Sequence, residues 1–344
     1  MPQSAPKQSL LNQRSALGLG AGALSALLYL AIQLGSPGAL IFAYLSPLPL
    51  YAVGLSLGWA VVMIAAIAAS IIILLLGGGI DAMTYACLNA APAVWLIRLA
   101  LLSRPDQQGK PEWYPQGNLV MWLAMGAAGL FGFALMLAGV LGNGLWDGVA
   151  LYMDAMVSNL ASANGQEPAQ PLRQLTASAS TWLPAMVGVS WMTMQIVNGT
   201  LAQGLVTRFG RNLRPSTELA TFQVPGSMVY ALALAFAGSF LPGDIGLIAR
   251  TLAIFAAYPF LFAGLAVVHA LSRRLAARTI MLAVFYIVII MLGWPVLLVT
   301  GIGLVDQWFD FRGRFGGPDQ NTGNDIGIGP TGGSGGPGGN QEEK

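Results

Sequence analysis

Residues 39–76 form an uninterrupted stretch without a charged side chain, and this stretch limits what the chain can fold into. A helix that is apolar on every side belongs in lipid or deep inside a helical bundle. About 20 such residues cross the hydrocarbon layer, so a run of nearly twice that length must fold back on itself. Gly54, Gly58 and Trp59 mark the reversal and predict two spans, residues 39–57 and 59–76.

Pro47 and Pro49 interrupt the first of these two spans. Each proline lacks a backbone N–H and clashes with the carbonyl one turn earlier, so the helix is expected to break there. In lipid the freed carbonyls need partners from neighbouring helices or from water. Broken helices of this kind often line the polar sites of transporters, so the break favours a transport function.

The composition also fits a chain that lies mostly in a membrane. Charged residues make up 9% of the 344 residues, and the mean hydropathy is +0.66, whereas soluble domains carry roughly 25% charged residues. The net charge is only +2 and the basic residues lie between apolar blocks, which argues against a nucleic-acid partner. Cys87 and His269 are the only residues of their types, so we predict no intrachain disulfide, no metal site and no cofactor.

The hydropathy pattern predicts an all-α fold, a polytopic transmembrane helical bundle of about eight to ten spans. A loose cytoplasmic tail at residues 1–14 precedes a transmembrane domain at residues 15–315, whose first six spans occupy residues 15–207 and whose last spans occupy residues 224–305. The individual spans are predicted at residues 16–34, 39–57, 59–76, 81–102, 118–141, 182–206, 224–241, 245–271 and 279–304.

Two segments depart from this pattern. Residues 142–180 are acidic, and apolar side chains recur there at helical spacing from Leu145 to Leu160, which predicts an amphipathic helix in the outer membrane interface. A lid over a cavity is the alternative reading of the same amphipathic pattern. Residues 316–344 are rich in Gly and Pro and are predicted to be disordered.

The basic residues predict the orientation of the chain. Lys and Arg are enriched in cytoplasmic loops, which places the N-terminus and the basic segments at residues 103–116, 207–218 and 272–278 in the cytoplasm. Nine crossings would put the chain end outside. If Pro295 instead splits the final apolar block into a hairpin, the end returns to the cytoplasm, and the sequence leaves both alternatives open.

Trp191, Gln195 and Asn198 recur at i, i+4 and i+7 and therefore share one face of the predicted sixth span. Amide side chains in lipid are costly unless they have partners. Two amides beside an indole suit a neutral polar or heterocyclic ligand, through hydrogen bonds and ring stacking. The alternative is hydrogen bonding between helices, which membrane proteins use routinely.

Asp81, Tyr85 and Asn89 share one face of the predicted fourth span, at i, i+4 and i+8. A carboxylate inside a membrane is a functional candidate, because it costs roughly 2.5–3.5 kcal/mol at the bilayer centre. At the start of a helix, however, Asp also serves as an N-cap. We predict that these three residues form a second part of a substrate-binding site, with helix capping as the alternative for Asp81.

Gly18, Gly22 and Ala26 form a stripe of small residues along the first predicted span. Such stripes let another helix approach closely, although Gly and Ala are also common in membrane helices without that role. The sequence carries no acid–base, nucleotide-binding or metal-binding motif that would indicate catalysis, so we do not expect an enzyme.

Three motifs together resemble the YybS-like family of bacterial polytopic membrane proteins, a family without assigned function. They are SPLPLYAVGLSLGW, RPSTELATFQVPGSMVYALALAFAG and GLVDQWFDFRGR. This likeness implies a multi-pass protein of the bacterial inner (plasma) membrane. The first six spans are also distantly similar to the substrate-binding membrane components of energy-coupling-factor transporters, in which a small-residue stripe on the first helix docks onto a coupling subunit. Gly18, Gly22 and Ala26 are the matching positions, although this chain has three additional spans.

Two functional hypotheses follow. The first is a small-solute binding or transport component of the inner membrane, whose substrate the sequence does not identify. The second is a membrane scaffold or assembly protein that holds other membrane subunits through the first span. In both cases the lipid bilayer is the principal partner.

Overall fold

The computed structural model describes residues 5–142, 144–163, 170–273, 275 and 277–315. This part of the chain is almost entirely helical, which confirms the all-α class. The helices are α1 (Ala5–Leu30), α2 (Pro37–Tyr44), α3 (Leu48–Leu57), α4 (Trp59–Leu76), α5 (Gly79–Tyr85), α6 (Ala91–Ala100), α7 (Gln116–Val140), α8 (Leu145–Ala163), α9 (Gln170–Arg208), α10 (Ser227–Gly238), α11 (Gly243–Ser272), α12 (Arg278–Leu292), α13 (Pro295–Phe309) and α14 (Phe311–Phe315).

Shorter elements connect some of these helices. A π-helical turn at Ala86–Ala90 joins α5 to α6, and 3-10 turns lie at Ala31–Leu34 and Leu219–Thr221. The strands β1 (Ser103–Pro105) and β2 (Pro111–Trp113) form a small antiparallel hairpin between α6 and α7. The exposed pair of Arg104 and Glu112 lies across this hairpin at 2.7 Å, and its hydrogen bond raises the pKa of the arginine.

The charge-free stretch folds back where the sequence predicts. Gly58 separates α3 from α4 with a φ of +102°, a backbone conformation that residues other than glycine rarely adopt. The expected break at Pro47 and Pro49 is also present, because α2 ends at Tyr44 and α3 begins at Leu48. The two halves together remain long and apolar enough for a single crossing, at residues 38–57.

Six helical segments of the described residues are long and apolar enough to cross a membrane, and the bent pair α12–α13 would make a seventh. This count is lower than the eight to ten spans that the sequence suggested. The predicted span at residues 182–206 lies within α9, which is long but too rich in polar residues for this criterion. The predicted span at residues 224–241 contains α10, which has only 12 residues.

The boundaries of two other predicted segments also differ. The outer segment predicted at residues 142–180 contains α8, a helix at the place where the apolar spacing predicts one, and residues 170–180 belong to the first turns of α9. In α8, Val157 is buried, whereas Tyr152 and Met156 of the predicted apolar face are exposed at the surface of the bundle. The interfacial position of this helix stays a prediction. At the N-terminus, α1 begins at Ala5, inside the predicted loose tail. The predicted disordered segment at residues 316–344 lies outside the described residues.

The buried side chains form two clusters. The first lies among α1, α3, α4 and the α5–α6 region, and it includes Tyr85 and Ile97. The second lies among α7, α9, α10 and α11, with Phe255 and Phe260 fully or almost fully buried. α9 touches both groups of helices, because it packs against α3 as well as α7 and α11. The polar residues of α9 therefore lie where the two halves of the bundle meet.

Most of the basic segments meet at one end of the bundle. Leu213 donates its backbone N–H to the carbonyl of Leu55 at 3.0 Å, and the guanidinium of Arg214 donates to the carbonyls of Ala100 (3.0 Å) and Tyr114 (2.9 Å). Burial lowers the pKa of Arg214 from its usual value. We call this surface the basic face, and it carries Arg104, Lys110, Arg208, Arg211, Arg214 and Arg273.

Both ends of the α12–α13 pair are attached to this basic face. Arg273, just before the pair, binds the carboxylate of Glu218, and Arg312, just after it, donates to the carbonyl of Phe222 at 2.5 Å. The segment from Glu218 to Phe222 contains a 3-10 turn and spans only about 10 Å. A crossing would separate the two ends by about 30 Å. The axes of α12 and α13 differ by 118°. Together with the attachment of both ends to one short segment, this bend favours a re-entrant hairpin over a further crossing.

Candidate functional site

On the predicted polar face of α9, Gln195 and Asn198 are buried and Trp191 is half-buried, and the three side chains bind neighbouring helices. Gln195 is 1% exposed and Asn198 is fully buried. Gln195 accepts a hydrogen bond from the Tyr51 hydroxyl at 2.8 Å and donates to the carbonyl of Leu88 at 2.7 Å. The indole of Trp191 donates to the same carbonyl, also at 2.7 Å. We call Tyr51, Trp191, Gln195 and Asn198 the polar layer.

The carbonyl of Leu88 is available for these bonds because of the local sequence. It lies in the π-helical turn Ala86–Ala90, and the residue four positions later is Pro92, which has no backbone N–H. A carbonyl that loses its donor four positions later needs another partner when water is excluded. The two side chains of α9 supply it. π-helical turns occur frequently at functional sites, which makes this region the leading candidate for one.

The break between α2 and α3 has a matching arrangement. The backbone N–H of Leu48 donates to Leu45 rather than to Tyr44, and the Tyr44 carbonyl accepts from Asn198 Nδ2 at 2.9 Å. Asn198 Nδ2 also donates to Met194 in its own helix, at 2.8 Å. The other amide atom, Asn198 Oδ1, is buried and has no hydrogen-bond partner among the described residues. The polar layer therefore contains one unused acceptor.

Tyr85 and Asn89 of the second predicted group face α1 and the break between α2 and α3. Ser25 Oγ donates to the carbonyl of Ser46 at 2.5 Å and lies 2.5 Å from the hydroxyl of Tyr85. Ser46 Oγ donates to Asn89 Oδ1 over 3.4 Å, which is a long contact. Tyr85 and Asn89 are both buried. Tyr85 and Asn89 are therefore linked to the break between α2 and α3 at Ser46. Asn89 also lies in the same π-helical turn as Leu88, whose carbonyl binds the polar layer.

Asp81 lies apart from the polar layer. It is partly exposed in the first turn of α5, and its carboxylate accepts a hydrogen bond from Gln33 at 3.2 Å. The N-cap residue of α5 is Gly78, so Asp81 is not the cap that the sequence suggested. Its negative charge near the helix N-terminus is still favourable. All the side chains that we have placed in the polar layer are uncharged, so the layer is suited to a neutral partner.

The stripe of small residues on α1 packs against α4 of the same chain. A Cβ atom added at Gly22 would lie 2.4 Å from the carbonyl oxygen of Ala65, and one at Gly18 would lie 3.0 Å from the side chain of Val61. Ala26 is fully buried. The stripe is therefore covered by the bundle itself and offers no free surface for another subunit.

Sequence reasoning did not identify Tyr51, Ser25 or the carbonyls of Tyr44 and Leu88 as parts of these networks. For Leu88 a signal existed, because Pro92 four positions later removes its expected helical donor. For the other groups the partner lies on a distant helix, and only the packing of the bundle shows it.

The described architecture, helices of apolar composition around a small buried polar layer, defines an α-helical integral membrane protein. Residues 23–307 match the family described as "Predicted membrane protein (DUF2232)". The chain belongs to this family, which confirms the family of predicted membrane proteins that the three sequence motifs indicate. No curated protein and no solved structure matches the chain. The likeness to energy-coupling-factor components stays a prediction.

Proposed function

We propose that this chain binds a small neutral solute at the polar layer, as a binding or transport component of the membrane without catalytic activity. The observation that carries the proposal is the acceptor Asn198 Oδ1, which is buried and has no partner among the described residues. A buried acceptor without a donor costs about 1–3 kcal/mol. A hydroxyl or N–H group of a bound solute would remove that cost.

The surroundings of Asn198 support the same proposal. The layer lies between two interrupted helices, α2–α3 and α5–α6, and discontinuous helices form the central sites of many transporters. The indole of Trp191 and the ring of Tyr51 offer apolar surface beside the amides, an arrangement that suits a heterocyclic solute. Hydrogen bonding between helices remains the competing role for Gln195, whose amide atoms already have protein partners.

We further propose that the protein lies in the inner membrane of a bacterium with its N-terminus in the cytoplasm. The grouping of arginine and lysine residues on the basic face supports this orientation, because such residues are enriched on the cytoplasmic side. Gly18 of α1 packs against Val61, two residues after α4 begins beside the basic face, so α1 starts at the same end. The scaffold hypothesis has lost its proposed surface, since α4 covers the stripe on α1.

Thermal unfolding in detergent tests solute binding. The purified chain is screened against vitamins, nucleobases and other small neutral solutes. A ligand at 100 times its dissociation constant stabilises the folded protein by about 2.7 kcal/mol. We expect Asn198→Leu to abolish this stabilisation and Thr200→Val, on the exposed side of the same helix, to retain it. If no solute raises the melting temperature of the wild-type chain, the proposal is wrong.

A further inference from the structure

A long apolar groove runs along the outside of the first helical cluster, between α4 and the α5–α6 region. Its volume is about 720 Å³. Trp59 and Arg98 lie at one end, and Leu74 and Met83 lie at the other. Because α4 rises by about 1.5 Å per residue, the 15 steps from Trp59 to Leu74 correspond to about 22 Å. The groove is therefore longer than one leaflet of the hydrocarbon core, which is about 15 Å thick.

The groove opens away from the bundle, towards the lipid. Large side chains along its rim are exposed, among them Ile67, Ile71 and Met83. The one hydroxyl in its lining, Ser70 Oγ, donates to the carbonyl of Ala66 in its own helix at 2.9 Å. The other polar groups of the lining are the indole N–H groups of Trp59 and Trp95 and the guanidinium of Arg98. The rest of the lining is apolar, so an apolar chain is the occupant that fits it.

Arg98 is the one charged residue among those that line the groove. Its guanidinium lies 5.7 Å from the ring centroid of Trp59, and it has no hydrogen bond or ion pair with the described residues. Arg98 lies near the basic face, because two residues later the carbonyl of Ala100 accepts a hydrogen bond from Arg214. Lipid headgroups are found at this level of a membrane protein. The five N–H donors of the arginine match the oxygens of a phosphate.

We propose that this groove binds an anionic phospholipid, with an acyl chain between α4 and α6 and the phosphate on Arg98. The charge of the occupant follows from the unpaired guanidinium, and its apolar length follows from the lining of the groove. Basic pockets between membrane helices on the cytoplasmic side bind anionic headgroups in this way. A transmembrane helix of another protein fits less well, because it would have to place an acidic group at Arg98. The inference does not depend on solute binding at the polar layer.

Native mass spectrometry of the purified chain tests the proposal. Phosphatidylglycerol and phosphatidylcholine with identical acyl chains are titrated separately, and glycerol phosphate without acyl chains is a third ligand. We expect the wild-type chain to prefer phosphatidylglycerol and to bind glycerol phosphate no better than background. Arg98→Gln should weaken the binding of phosphatidylglycerol about fivefold, as expected for one basic residue near an anionic surface. It should weaken the binding of phosphatidylcholine less, because the choline ammonium offsets the charge of the phosphate, so the preference between the two lipids should fall.

Three further variants make the result specific. Arg208→Gln removes another exposed arginine of the basic face that does not line the groove, and it should retain the preference. Ser70→Leu fills the floor of the groove and should weaken both lipids. Arg98→Lys keeps the charge if Arg98→Gln does not fold, and it should retain the preference for the anionic lipid.

Equal binding of the two lipids by the wild-type chain would overturn the proposal. An unchanged preference in Arg98→Gln, or its loss in Arg98→Lys, would do the same. A dimer that dissociates on Ser70→Leu would assign the groove to a second copy of the chain and would also overturn it.

Discussion

The side-chain amide of Gln195 donates a 2.7 Å hydrogen bond to the backbone carbonyl of Leu88, across the contact between α9 and the π-helical turn. A polar side chain of one helix thereby supplies the hydrogen bond that the irregular backbone of another helix lacks. The same principle applies at the break between α2 and α3, where Asn198 binds the carbonyl of Tyr44. These contacts are the basis of the first prediction.

Gln195→Leu should destabilise the fold by about 1–3 kcal/mol, because it leaves the buried hydroxyl of Tyr51 without its acceptor. The measurement is the melting temperature of the purified protein in detergent, without added ligand. Thr200→Val is the matched control, since its hydroxyl binds only carbonyls of its own helix. A melting temperature equal to that of the wild type would show that these hydrogen bonds contribute nothing measurable to stability.

Gly22→Leu should prevent the close approach of α1 and α4. Its Cβ atom would lie 2.4 Å from the Ala65 carbonyl oxygen, and overpacking of this kind costs about 1–3 kcal/mol or more. Gly20→Leu is the control, because no atom lies within 4 Å of the corresponding Cβ position. The yield of monodisperse protein and its melting temperature should fall for Gly22→Leu alone. Equal behaviour of the two variants would contradict the packing of α1 on α4.

Arg312→Gln should destabilise the attachment of α13 to the segment around Phe222. The side chain of Asp306 is fully buried and pairs with Arg312 at 2.8 Å, and removal of one partner from a buried ion pair costs about 3–5 kcal/mol. Because Arg312 retains 15% exposure, we expect a loss near the lower end of that range. Arg314→Gln, at an exposed position, serves as the control. Limited proteolysis near residue 310 would report the release of this region. Identical cleavage of both variants would contradict the role of the pair.

The re-entrant arrangement of α12 and α13 predicts where the chain can be labelled. In a Cys87→Ser background, Gln108→Cys and Arg314→Cys should react with an impermeant maleimide from the same side of the membrane. Asp244→Cys, in the first turn of α11, should react from the opposite side. Labelling of Gln108→Cys and Arg314→Cys from different sides would show that the α12–α13 pair crosses the bilayer.

The sequence predicts those features that depend on local chemistry. The reversal at Gly58, the break at Pro47 and the shared face of Trp191, Gln195 and Asn198 all follow from composition and spacing, and the structure contains each of them. The number of spans was less predictable. The apolar residues at 182–206 predict a span, but the buried polar side chains of α9 lower its hydropathy below that of the six apolar segments. The apolar run at residues 224–241 leaves α10 at Gly238 and continues into a turn.

The partners of the polar residues could not be predicted from one sequence. Gln195 and Leu88 are separated by 107 positions, and Asn198 and Tyr44 by 154, so no local pattern connects them. The role of Asp81 was similarly ambiguous, because an acidic residue near the start of a helix fits both substrate binding and helix capping. Only the structure shows that the cap residue is Gly78. The proposed substrate-binding role of Asp81, Tyr85 and Asn89 therefore stays a prediction.

The separation between these partners has a consequence for biosynthesis. The ribosome releases the carbonyls of Tyr44 and Leu88 long before it makes Asn198 and Gln195. Until α9 arrives, the interrupted helices expose unpaired acceptors, which hydrocarbon cannot solvate. The nascent N-terminal half should therefore remain in the hydrated interior of the insertion machinery. Its release into the bilayer should occur only after residue 198 has been translated.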